Sequence, residues 1–407
     1  MQLKLLNFHK ILSQFASNIV GAFIALIIYQ STDSFTYAFL FLVLNMLLRI
    51  LFSQIFYKYM ERKPQIFLAI RLFPFLFYSL SILLLDTQLK WLGIGLSVIF
   101  HSLAVTFKDI PMELIFSYST LNKGSSSNGI SRLFEYIGVI SAIIIGGLFL
   151  DNMPKWVAIV VACGSYLISV IPLLIYYFKQ RKSATFNQDA TSNAVESFNN
   201  IKIKKRQKNV ITKKLLVRYF LIYFAFCVYD ALMQLLSLYL FKVNAESYSF
   251  TSYIQASFYA MFGLGCFIAG KMDDKMDLTN IVSIFCVLSG VFVCVVPFVA
   301  NLIWLEVIIF GIIGFLYSYI SIFCYSRMMT RCKIMGVSNL ALEGRAQASR
   351  WSQILIYGIA AINPVMFIPA FFATGIIFAS CAYFIPKNEE NTREMLVDYL
   401  QNNKLYW

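Results

Sequence analysis

Asp230 stands inside the run FAFCVYDALMQLLSLYLF, residues 224–241, whose other members are almost all apolar. A carboxylate deep in a membrane is costly and marks a functional site by default. Counted from Arg218 at 1.5 Å per residue, it lies about 18 Å in, near the middle of a hydrocarbon core about 30 Å thick. So short a side chain cannot snorkel to water. It must line an aqueous cavity, meet a buried cation such as Arg49 or Lys108, or stay protonated. In a cavity it could carry a proton in one conformation and release it in another, or act as counter-charge for a cationic solute. Gln234, one turn on, shares its face.

A second cluster sits in FHSLAVTFKDIPMELIF, residues 100–116. Asp109 and Glu113 are four apart and share a helix face, with Pro111 between them and Lys108 pointing elsewhere. His101 lies deeper and belongs to the residue type that titrates near neutral pH, so it is a candidate proton relay. Arg49 shares a face with Asn45 and is a partner for Asp109 or Glu113. Arg71, only one or two turns in, is expected to snorkel. Glu135 is expected to pair with Arg132, three residues earlier.

The elements that position these residues must be membrane helices. The 407 residues are 59% hydrophobic and only 13% charged, with 39 Phe. Soluble domains run nearer half apolar and a quarter charged. The apolar residues fall in blocks at 10–29, 34–56, 66–85, 91–117, 132–150, 156–178, 216–241, 251–270, 280–300, 302–326, 347–362 and 366–386. About 20 residues cross the hydrocarbon, so these blocks predict an all-α polytopic protein with twelve transmembrane helices. The net charge of +14 does not point to nucleic acid. Of 34 Lys and Arg, only Lys90, Lys155 and Lys242 fall in the alternate loops, which is the positive-inside pattern with both termini cytoplasmic. No cleavable signal peptide is expected. The eight cysteines are scattered without a CxxC pair and imply no disulfide or metal framework.

The polar, basic stretch 179–214 divides the spans six and six. The expected organisation is a six-helix bundle over 1–178, a cytoplasmic linker over 179–214, a second bundle over 215–387 and a cytoplasmic tail over 388–407. Three weak internal matches keep their order: Asn18 opposite Asp230, Lys58 opposite Asp274, and Arg132 opposite Arg350. They suggest two pseudo-symmetric halves. After the eighth span, GKMDDKMDL places Gly270, Asp274 and Lys275 on the pattern Gly-x-x-x-Asp-Arg/Lys, and the first-half counterpart QIFYKYMERK keeps only Arg62-Lys63. In the fifth span, GVISAIIIGG places Gly138, Gly146 and Gly147 on the glycines of a drug/proton-antiporter signature, with Ala142 and Ile143 at its central Gly-Pro.

These residues resemble the major facilitator superfamily. The resemblance implies two six-helix bundles that rock around a central cavity faced by the first, fourth, seventh and tenth spans. That nominates Asn18, Tyr229, Asp230, Gln234, Tyr317 and Ser321, with Gln255 and Tyr259 nearby on the eighth. Asp274 and Lys275, with Gly270 and Arg62 of the loop pattern, become candidates for a cytoplasmic gate, with Arg345 or Arg350 as a partner.

No phosphate loop, nucleophile elbow or metalloprotease motif occurs, so neither an enzyme nor a bound cofactor is expected. The sequence reading is a proton-coupled exporter of small amphipathic or cationic molecules, a monomer in a bacterial cytoplasmic membrane. The alternatives are a lipid or lipid-precursor flippase or a solute importer without obligatory proton coupling. From another class, the chain could be a transport-inactive accessory or sensor subunit.

Overall fold

The computed structural model describes residues 2–120, 125–184, 207–243, 247–273, 275–299, 302–334, 338–362 and 367–385. Among them no strand occurs, and the helices make twelve traverses. The first is Gln2–Gly21 continued by Ile24–Thr32, the second Phe35–Arg62, and the third Pro64–Ile70 continued by Leu72–Leu83. Then follow Lys90–Thr120, Ser125–Asn152 and Lys155–Ala184 as the fourth to sixth. The seventh is Gln207–Val243, the eighth Tyr248–Asp273, the ninth Thr279–Val299 and the tenth Ile303–Ile334. Ser338–Ile362 and Phe367–Phe384 are the eleventh and twelfth. Short connections make neighbours antiparallel, so the odd traverses all start at one end. That end carries Lys58, Arg62, Lys63 and Arg132 and is called the basic end below.

Ten helices are long and apolar enough to cross a membrane. The eleventh carries Glu343, Arg345 and Arg350 in its first half, and the twelfth has its apolar stretch at Ile368–Tyr383. The expected linker shrinks at both ends, because the sixth helix runs on to Ala184 and the seventh starts at Gln207. Both extensions are built from good helix formers such as Lys, Gln and Ala. The rest of the linker and the tail 388–407 lie outside the described residues. The eleventh helix starts at Ser338, well before the apolar block at 347, because hydropathy marks the membrane-embedded part of a helix and not its polar overhang.

Two traverses are broken. The first turns at Ala22–Phe23, where Phe23 has φ −107° and ψ 2°. The third breaks at Arg71. Pro74 has no N–H to offer the carbonyl four residues back at Ile70, which loosens the helix there.

Packing divides by halves. The first span lies against the fifth and sixth, and the fourth lies against the second and third. In the other half the eighth meets the tenth, the ninth meets the twelfth, and the seventh meets the eleventh. The halves touch along two main seams, the fifth span on the eighth and the second on the eleventh. Small residues permit this contact, as is usual for helices in lipid. A Cβ at Gly138 would strike the carbonyl oxygen of Ile11, and one at Gly146 that of Ile19. Gly147 faces the other half, where a Cβ would stand 2.8 Å from the Ser252 hydroxyl. Gly138, Gly146 and Gly147 are therefore packing surfaces, two within a half and one between halves.

Candidate functional site

A cavity of about 660 Å³ lies between the halves. It reaches the basic end at Gln54, Lys58 and Ala346 and stops at Ala25 and Phe258. Beyond that floor Ile27, Ile28 and Tyr29 are buried, so the far end is sealed in this conformation.

The seal is polar as well as apolar. Asp151, closing the fifth span, accepts the backbone N–H groups of Tyr248 at 2.7 Å and Ser249 at 2.8 Å. It also accepts the Ser247 hydroxyl at 3.0 Å. These are among the first amides of the eighth span, which lack intrahelical acceptors, and the positive end of the helix dipole favours a carboxylate there. The Tyr248 phenol donates to Gln30 Oε1 at 2.8 Å. No local sequence pattern announces Asp151, because its partners lie on the other half of the chain.

The wall on the N-terminal half is a charged network. Asp109 is 2.8 Å from Arg49 Nη2 and 3.5 Å from Lys108 Nζ. Lys108 also donates to Gln14 Oε1 at 3.0 Å and lines the cavity beside Asp109, contrary to the expectation that it points elsewhere than the face of Asp109 and Glu113. The reach of its four-carbon stem allows this. Gln14 Nε2 in turn donates to Glu135 at 2.9 Å. Glu135 takes both Lys10 and Arg132 at 2.8 Å each. Deeper, Asn45 Nδ2 and His101 Nδ1 are 2.7 Å apart, beside the Tyr78 ring at 4.7 Å. His101 abuts the break in the first span, where Gly21, Ala22, Ile24 and Ala25 line the cavity. Interrupted backbone at membrane depth is tolerated where it borders protein or a cavity.

The opposite wall carries Asp230, Tyr259, Tyr317 and Ser321. Asp230 makes no hydrogen bond or ion pair among the described residues, so the pairing with Arg49 or Lys108 considered above does not form. Three nominated cavity residues point away. Tyr229, one residue and about 100° round the helix from Asp230, is 0% exposed and packs on Phe258, Phe310 and Phe378. Gln255 is a turn beyond the cavity floor and donates to Ser237 at 2.9 Å. Asn18 folds back on the Gln14 carbonyl at 2.8 Å. The side chains of Glu113 and Gln234 lie outside the described residues.

At the basic end, Arg350 is 3% exposed and donates to Ser53 Oγ at 2.7 Å across the second–eleventh seam. Asp274 lies outside the described residues. Its neighbours Asp273 and Asp277 sit 3.5 and 3.6 Å from Arg327 on the tenth span, which ties that loop to its own half. Lys275 and Arg62 are exposed, and Gly270 is buried in the eighth span.

Several polar residues that sequence reasoning passed over or misplaced are buried. Arg71 is 1% exposed and does not snorkel. Its guanidinium donates to Ser13 at 2.7 Å and to Ser17, and lies 4.8 Å from the Tyr166 ring centroid. His9, in the first span, bonds the Ser169 carbonyl at 2.6 Å. Glu306, in the first turn of the tenth span, is 0% exposed with no hydrogen-bond partner for either oxygen among the described residues. A polar residue inside an apolar block was the available signal for Arg71 and Glu306.

Residues 125–342 match the family described as Major Facilitator Superfamily. No curated protein matches the sequence. Among solved structures, the chain resembles a bacterial homologue of iron transporter ferroportin in its outward-facing state, with a TM-score of 0.64 at 10% identity. That alignment covers 94% of this chain and all of the other. It also resembles the proton:xylose symporter XylE bound to 6-bromo-6-deoxy-D-glucose, with a TM-score of 0.65 at 10% identity and 94% of each chain covered. At that identity the likeness speaks for the fold alone. With a family match over more than half of its length and the twelve-helix architecture around a central cavity, the chain belongs to the Major Facilitator Superfamily of secondary transporters.

Proposed function

We propose that this transporter works by alternating access with a proton carried on Asp230, in a bacterial cytoplasmic membrane with both termini in the cytoplasm. The moving bodies are the two halves, residues 1–178 and 215–387. Arg350 on Ser53 and Asp151 on the eighth span are contacts that re-form as the halves rock. In this topology the cavity faces the cytoplasm.

The observation that carries the reading is Asp230 itself, a cavity-lining carboxylate without a counter-ion among the described residues. The phenols of Tyr259, Tyr317 and Tyr357, on the eighth, tenth and eleventh spans, stand within its electrostatic reach, as do Tyr223 and Cys227 on its own helix. Arg49, Lys108 and Arg132 line the same cavity from the other half. A carboxylate in that setting alternates between protonated and ionised forms as its access to water alternates.

Asp230 taken alone suits export of small amphipathic or cationic molecules. The number of cations around it favours a different solute, argued in the next subsection. A flippase or importer indifferent to protons remains the second reading, supported by the apolar floor at Phe258 and Phe262. The test is a set of proteoliposomes holding an imposed pH gradient and a fluorescent pH dye, challenged with solutes one at a time. A solute that collapses the gradient with wild type and not with Asp230→Asn supports coupling through this residue. Collapse with both proteins removes Asp230 from coupling, and solute flux without any pH change favours the second reading.

A further inference from the structure

Among the described residues, the cavity is lined by six cations, Lys10, Arg49, Lys58, Lys108, Arg132 and Arg350, and three carboxylates, Asp109, Glu135 and Asp230. Lys10, Lys58 and Arg132 sit near the basic end, where the positive-inside rule accounts for them. Arg49 and Lys108 are different. Arg49 is 13 residues from the end of its helix at Arg62, and Lys108 is 12 from Thr120, about 18–20 Å along the helix axis from those ends. Both fall inside the apolar spans Phe35–Met60 and Lys90–Met112, where burying a charge is costly.

One cation would be enough to stitch Asp109 between the second and fourth spans. Two converge on it, at 2.8 and 3.5 Å. The same two-to-one arrangement recurs at Glu135 with Lys10 and Arg132, and Gln14 joins the two clusters. Arg49 also keeps a buried Nε–H with no acceptor among the described residues. Asp109 is 36% exposed at its side chain, so the pair opens onto the cavity. Two cations set against one carboxylate leave this wall a net positive field. A cationic solute entering this wall meets that as repulsion, and an anion meets it as attraction.

We infer that the solute carries an anionic group, a carboxylate or a phosphate, which docks on Arg49 and Lys108. This rests on the transporter reading above and deepens it: an anion entering with a proton on Asp230 adds no net charge to the cavity. Tyr136, Tyr259, Tyr317 and Phe258 also line it, which suits an apolar or aromatic body behind the charged head.

The test uses four probes of one skeleton on the purified wild-type protein: benzoate, phenyl phosphate, benzylamine and benzyl alcohol. Thermal unfolding and calorimetric titration are the readouts. At least one of the two anions is expected to raise the melting temperature, less so as sodium chloride is added, while the amine and the alcohol do not. Protection by benzoate alone marks a carboxylate site, and by phenyl phosphate alone a phosphate site. Lys108→Gln should weaken the anion about tenfold or more, as expected for losing one charged contact. If that variant does not fold, the wild-type selectivity still decides. Benzylamine protecting as well as either anion, equal protection by all four, or none by the anions overturns the inference. Proton uptake measured with a pH indicator during benzoate binding separates the two proposals. Anion binding without proton uptake sinks coupling and leaves this inference standing. Proton-coupled flux of a cation does the reverse.

Discussion

The Asp151 carboxylate holds the backbone N–H of Tyr248 at 2.7 Å, from a position 97 residues away in sequence. It is a helix cap supplied by the opposite half of the molecule. The contact exists only while the far ends of the fifth and eighth spans are together, so it belongs to one of the two conformations that alternating access requires. Charge-assisted bonds of this kind contribute about 1.5–3 kcal/mol when shielded and less where water reaches them, as it does here.

Asp151→Ala should therefore shift the equilibrium toward a far-end-open form by about 1 kcal/mol, or about fivefold in population. A Tyr29→Cys thiol, at a position buried beneath the clasp, reports this. Its labelling by a membrane-impermeant maleimide should rise by about that factor when Asp151→Ala is added. Unchanged labelling would show that the apolar packing alone seals this end.

Asp230→Asn should lose accumulation driven by a pH gradient while solute exchange down its own gradient persists. Counterflow and gradient-driven uptake in the same vesicles compare the two. Loss of both would make the carboxylate part of solute binding; loss of neither would leave it a passive polar residue.

Gly138, Gly146 and Gly147 should separate by the face they occupy. Gly138→Ala and Gly146→Ala force the first span outward and should each cost about 1–3 kcal/mol as overpacking does, seen as a lower melting temperature. Gly147→Ala presses on Ser252 across the seam. It should change far-end accessibility more than melting temperature. Equal thermal losses at all three would mean the halves melt as one unit.

Ser13→Ala should destabilise more than Arg71→Met. The first leaves a buried guanidinium N–H without its acceptor, at about 1–3 kcal/mol. The second removes the charge together with its demand for partners, which is often close to neutral. The reverse order in thermal unfolding would reveal an electrostatic duty for Arg71 beyond its serines.

Glu306→Leu should raise stability by about 1 kcal/mol or more, since it removes a buried carboxyl whose oxygens lack hydrogen bonds among the described residues. A fall in melting temperature would point to a bound partner for Glu306.

Much of the fold was legible because a bilayer restricts what a chain can do. Backbone polar groups in hydrocarbon must bond within their own segment, so an apolar block of about 20 residues reads directly as a helix. Alternation of basic and neutral loops then orders the ends. The breaks at Ala22–Phe23 and Arg71 were not legible, since apolar composition is blind to a local turn. The ion pairs of Arg49 with Asp109 and of Arg132 with Glu135 were anticipated, the second from local spacing. Lys108 was misdirected because its partner Gln14 lies 94 residues away.

The number and character of the helices, the charge asymmetry of their ends and the place of Asp230 within the seventh span can all be read along the chain. Those are properties of composition and of spacing along one chain segment. Only the tertiary structure decided that Asp230 lines the cavity while its neighbour Tyr229 does not. It alone set two cations on each of two carboxylates in one wall of the cavity, and gave Asp151 to a helix in the other half. The reason is physical: hydrophobicity acts on each segment separately, whereas the partner of a buried charge is fixed by which helices pack together.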